Sequence, residues 1–172
     1  MPDLNALFAG VRFVVVGGTA TSLYMPQRMT QDVDILVAAT DVQEAEGALA
    51  KAGATPEGPL NIDNPLQLKG STWKLTDGSY VDVLWSARPW VKEALAGPNL
   101  DSAGLPIVSL PHLVLMKLAS SRGVDLGDLS RMLGGADEDS LHQVRAVVRK
   151  YLPDAMEDLE SLIELGRLEF QG

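Results

Sequence analysis

The chain has 172 residues, a formal net charge of −9 and 46% hydrophobic residues. That is enough apolar material for one cored domain, or one domain with a helical extension, and the acidic balance argues against broad, non-specific nucleic-acid binding. No cysteine is present for disulfides or thiolate metal sites, His112 and His142 lack zinc-type spacing, and no apolar run approaches the roughly 18 residues of a membrane span. A soluble, cytoplasmic protein with no membrane partner is expected.

In chain order, residues 3–10 suit a short amphipathic helix. Phe13-Val14-Val15-Val16 reads as a buried strand stopped by Gly17-Gly18. Thr19 to about Met25 suits a helix whose first-turn N–H groups face an anion, with Pro26 ending it. A loop through Arg28 and Thr30 leads into a strand at 32–37. Thr40-Asp41 supplies an N-cap for a helix at 41–52 that stops at Gly53. Residues 54–65, rich in Pro and Gly, read as a loop. Asp77-Gly78 signals a hairpin turn between strands in the segment that ends at Trp85. A short helix at 91–96 and an extended piece at 105–108 follow, then helices at 110–121 (with Ser109 as N-cap), 125–133, 138–151 and 154–168. Residues 1–108 would form a core, and 109–172 a helical portion packed on it in one compact unit.

The spacing of acids carries the functional reading. Residues i and i+2 of a strand share a face, roughly 6 to 7 Å apart, so Asp32 and Asp34 project together while Val33, Ile35 and Val37 anchor the opposite face. Two such charges repel unless a cation lies between them. Mg²⁺ is the economical cation, because it favours one or two carboxylates plus substrate phosphates over an all-protein cage. Asp82 is a third carboxylate on an otherwise apolar strand, and its placement there calls for a partner or a metal. If its strand lies beside 32–37, it completes the site. The glycine turn at 17–18 lies one strand earlier, where a phosphate could be cradled. Arg28, Lys69, Lys74, Lys117 and Arg122 offer local positive charge.

Gly17-Gly18-Thr19, Arg28-x-Thr30-x-Asp32-x-Asp34 and the later Asp82 together resemble the DNA polymerase beta-like nucleotidyltransferase superfamily. Met116-Lys117-Leu118-Ala119, Arg122 and Asp125-Leu126-x-Asp128-Leu129 add a likeness to its small bacterial abortive-infection, toxin-type members, over roughly residues 13–133. The resemblance implies an α+β fold, a small mixed sheet with helices packed on it and further C-terminal helices. It implies transfer of a nucleoside monophosphate from an NTP, with release of pyrophosphate. By position, Gly17, Gly18, Thr19 and Arg28 would bind nucleotide. Asp32, Asp34 and Asp82 would hold Mg²⁺, two ions in all, with Asp82 also helping to deprotonate the acceptor. Lys117 would neutralise triphosphate charge, and Asp125, or else Asp128, would be the family's following acid. The acceptor is expected to be tRNA or a protein side chain, with a cognate antitoxin as partner. The alternatives are a small, aminoglycoside-like acceptor or a catalytically silent nucleotide- or partner-binding module.

Overall fold

The computed structural model describes residues 3–25, 32–60, 62–120 and 123–171. Arg28, Thr30 and Arg122, all named above, lie outside the described residues. The chain opens with α1 (Leu4–Leu7), capped by the Asp3 carboxylate, and β1 (Phe13–Val16). Next come α2 (Gly17–Thr21), β2 (Asp32–Ala38) and α3 (Val42–Lys51). Three strands follow, β3 (Thr55–Leu60), β4 (Lys69–Lys74) and β5 (Tyr80–Ser86), then α4 (Trp90–Ala96). Two short strands, β6 (Asn99–Leu100) and β7 (Pro106–Ile107), lead into α5 (Leu110–Ser120), α6 (Gly123–Gly134) and α7 (Glu138–Tyr151). A 3-10 turn at Pro153–Ala155 enters α8 (Met156–Gln171).

The described strands form one mixed sheet in the order β3-β4-β5-β2-β1-β7-β6. β2 runs antiparallel to β1 and parallel to β5, so the two acid-bearing strands are immediate neighbours. The β4–β5 hairpin turns at Asp77-Gly78, where Gly78 takes φ +86° and the Asp77 carboxylate accepts from the Ser79 N–H at 3.0 Å. This mixed α+β architecture is the one expected.

Three details differ from the sequence reading. Residues 55–60 form β3 rather than loop, because Pro56 and Pro59 sit on an edge strand whose register shifts between Pro56 and Gly58, and an edge tolerates missing donors. Helix α2 starts at Gly17, two residues early, because Gly17 takes φ +64° and turns the chain directly out of β1; the helix ends at Thr21. Asp41 occupies the N-cap position of α3 without capping it, and the Thr40 hydroxyl donates to its carboxylate at 2.8 Å instead.

The core forms where the sheet is covered. All four residues of β1 are buried, as are Val33, Ile35, Leu36 and Val37 of β2 and Val81, Val83 and Leu84 of β5. On β4, Ser71 shares a face with Val83, and its hydroxyl donates to Glu46 of α3 at 2.7 Å. Helix α3 thus covers the face of β4 and β5 opposite Asp82. Beyond the sheet, α7 packs along α5 and α8 along α6. The bidentate Arg145–Glu160 pair joins α7 to α8 at 2.7 and 2.9 Å.

Candidate active site

Cross-strand register brings the sequence-separated acids together. Asp34 of β2 stands opposite Asp82 of β5, and Asp32 stands opposite Tyr80, one step along the same face. Directly opposed residues of neighbouring strands share a face with side chains in reach of one another. The row through Asp34 extends to Val16 of β1 on one side and to Thr72 of β4 on the other. Asp32 is exposed, while Asp34 and Asp82 are half-buried at the margin of the apolar sheet. Further along the same face Leu36 and Leu84 are buried, so exposure is confined to the Asp32 end of these strands.

Gly17 is shaped around this row. A Cβ at position 17 would stand 1.9 Å from Asp34 Oδ2 and 2.8 Å from its Cγ, so the carboxylate packs where any larger residue's side chain would begin. The turn and the acid are one constructed unit. Thr19 approaches β2 as well, its hydroxyl lying 3.4 Å from the Asp32 carbonyl oxygen. Downstream of α2, the Tyr24 hydroxyl donates to the Val108 carbonyl at 2.8 Å and accepts from Asn99 at 2.6 Å, fastening this end of the turn to the β6–β7 region. Burial raises the Tyr24 pKa, which keeps the phenol protonated for that bond.

Asp82 receives a hydrogen bond from the Thr72 hydroxyl at 2.7 Å to Oδ1. Thr72 is a residue that motif reasoning missed. Counting outward from the Asp77-Gly78 turn would have found it, since that register sets Thr72 opposite Asp82.

Lys117 is buried with two acidic partners. Its ammonium, on α5, donates to Asp125 at 2.9 Å and Asp128 at 3.0 Å, both on α6, and all three residues are buried. Ser120 Oγ lies 2.6 Å from the second Asp125 oxygen and 2.8 Å from the Lys117 carbonyl; its single proton serves one of them at a time. Asp125 and Asp128 thus hold the same lysine. Removing one partner of such a buried group generally costs about 3 to 5 kcal/mol.

His112 is 7% exposed, with Nδ1 3.0 Å from Ser109 Oγ, and burial lowers its pKa. Among the described residues, no group of three or more His, Cys, Asp or Glu side chains forms a ready metal cage. The acids at 32, 34 and 82 are hard oxygen donors that share one sheet face. Among the described residues no helix is long and apolar enough to cross a membrane.

No protein-family model and no curated protein matches this chain. Solved structures do. The solution structure of the antibiotic-resistance factor ANT(2'')-Ia matches with 15% identity over 94% of this chain and 85% of that one, at a TM-score of 0.48. The crystal structure of ANT(2'')-Ia in complex with adenylyl-2''-tobramycin matches with 17% identity over 94% of this chain and 90% of that one, at a TM-score of 0.50. At such identity the likeness is one of fold, a mixed sheet flanked by helices as in ANT(2'')-Ia.

Proposed function

We propose that this protein is an Mg²⁺-dependent nucleotidyltransferase that moves a nucleoside monophosphate from an NTP to a hydroxyl of a small, aminoglycoside-like acceptor. The observation that carries the reading is the row in which Gly17 packs under Asp34 and Asp34 stands in register with Asp82. A glycine turn beside paired acids is suited to a donor triphosphate. The fold likeness to an enzyme seen with adenylyl-2''-tobramycin favours a small acceptor over tRNA, a protein side chain or a toxin's target.

In this scheme Gly18 and Thr19 offer backbone N–H groups to the phosphates. Asp32, Asp34 and Asp82 would hold Mg²⁺, which supplies charge neutralisation on the phosphate oxygens and the leaving pyrophosphate. The acceptor oxygen bonds to the α-phosphorus as the bond from that phosphorus to the pyrophosphate oxygen breaks. The acceptor's proton passes to the Asp82 carboxylate and on to solvent. Lys117 already answers two carboxylates, so we give it and Asp125 a positioning role, fixing α6 on α5, rather than contact with the triphosphate.

The test is incubation with each α-labelled NTP, Mg²⁺ and a panel of aminoglycosides including tobramycin, with total tRNA and cell lysate as competing acceptors. Label should enter an aminoglycoside, and Asp34→Ala should abolish transfer. Label in RNA or protein would return the acceptor to the toxin-type reading. No Mg²⁺-dependent transfer to any acceptor would overturn the enzymatic reading itself.

A further inference from the structure

Asp82 is an inner member of the cross-strand row. It stands between Asp34 on one neighbouring strand and Thr72 on the other, in a single cross-strand row. Two carboxylates directly opposed across a strand pair repel, and without a counterforce each would swing to any rotamer that increases their separation. Thr72 supplies a counterforce, donating to Asp82 Oδ1 at 2.7 Å. A hydroxyl donor on an ionised acceptor makes one of the stronger protein hydrogen bonds, and this one engages a defined oxygen.

The donor is itself held. Threonine is β-branched and restricted at χ1, so its hydroxyl is aimed by the strand rather than by a flexible chain. β4 is fixed between β5 and β3, and Gly58 stands opposite Thr72 in that outer pairing. A Cβ on Gly58 would meet nothing within 4 Å, so the row runs from the acids past Thr72 to a position without a side chain. The Pro-rich edge strand thereby braces β4 without placing a side chain next to the threonine in that row.

We infer that Thr72 is a positioning residue for nucleotidyl transfer: its hydroxyl fixes the Asp82 carboxylate in the orientation needed to receive the donor's metal and the acceptor's proton. This rests on the reading of Asp34 and Asp82 given above. Thr72 itself touches neither donor nor acceptor in this scheme. Its loss should therefore lower turnover and metal-dependent donor binding, without altering the phosphate turn or the fold.

The experiment compares wild type, Asp82→Asn, Thr72→Val, Thr72→Ala and Thr72→Ser by two readouts. The first is water-proton relaxation on titration with Mn²⁺ and a non-hydrolysable α,β-methylene NTP, which needs no acceptor. The second is kcat and KM for transfer from the preferred NTP to the acceptor that the labelling test identifies. Thr72→Val and Thr72→Ala should weaken Mn²⁺ uptake several-fold and lower kcat about 10- to 100-fold, the range for losing a hydrogen bond to a charged group. KM for the metal-bound NTP should rise by about the same several-fold as Mn²⁺ uptake falls, because the donor binds with its metal. Thr72→Ser should restore both readouts and keep the wild-type thermal midpoint. If Asp82→Asn lowers Mn²⁺ uptake while Thr72→Val and Thr72→Ala match wild type, the inference about Thr72 is wrong and the carboxylate site stands. If Asp82→Asn leaves uptake unchanged, the site reading fails and takes the inference with it. Equal losses in Thr72→Ser and Thr72→Val would assign the effect to packing and overturn the hydroxyl's role.

Discussion

At position 17 the backbone takes φ +64°, and a Cβ there would stand 1.9 Å from an Asp34 oxygen. Gly17→Ala therefore meets two penalties at once. The left-handed conformation costs an L-residue roughly 1 to 2 kcal/mol, and the carboxylate must leave its place. A displacement of about 1 Å at a reacting centre is commonly worth 10²-fold in rate. We expect a lower thermal midpoint and a fall in kcat of about 100-fold, read by circular dichroism and labelled-NTP transfer. A variant with wild-type kcat would show that the position of Asp34 does not matter to the chemistry. The three strand acids were legible in the sequence because period-2 alternation is local, and a lone acid among valines is conspicuous. The tie of Lys117 to both Asp125 and Asp128 was not, because the pairs cross from one helix to the next, where spacing no longer fixes which side chains meet.

Between elements, the closest approach of C-terminal helices depends on another glycine. Gly166 of α8 is buried against α6, and a Cβ there would stand 2.0 Å from the Ser130 carbonyl oxygen and 2.7 Å from the Gly134 nitrogen. Those atoms belong to backbone and cannot swing aside, so Gly166→Ala must push the helices apart. Gly47 of α3 is its control, for a Cβ at that position meets nothing within 4 Å. Alanine is ordinarily the better helix former by about 1 kcal/mol. Gly47→Ala should thus raise stability by up to about 1 kcal/mol, and Gly166→Ala should lower it by about 2 kcal/mol or more through overpacking. Urea unfolding of both variants reads the difference, and a stabilised Gly166→Ala would show that α8 is not seated on α6 as described. The sequence disclosed this helix through its period but not its packing partner. The same limit concealed β3, whose Pro56 and Pro59 read as loop because the strand's identity comes from pairing with β4 and not from its own residues.

Over the whole molecule, the net charge of −9 acts on both substrates at a distance. A metal-bound nucleoside triphosphate is anionic and approaches against the protein's mean field, whereas an aminoglycoside is a polycation drawn in by it. Raising ionic strength shortens the Debye length, about 8 Å at 0.15 M, and so weakens both effects. The two substrates should therefore show opposite salt slopes. At fixed free Mg²⁺, kcat/KM for the NTP should rise by about twofold between 50 and 300 mM salt, while that for a cationic acceptor should fall by at least as much. A nucleic-acid acceptor would follow the NTP instead, because its phosphates meet the same repulsion. Measuring both slopes on one preparation separates the acceptor classes by charge. An acceptor term that rises with salt would exclude the aminoglycoside-like reading while leaving the carboxylate row and its chemistry intact.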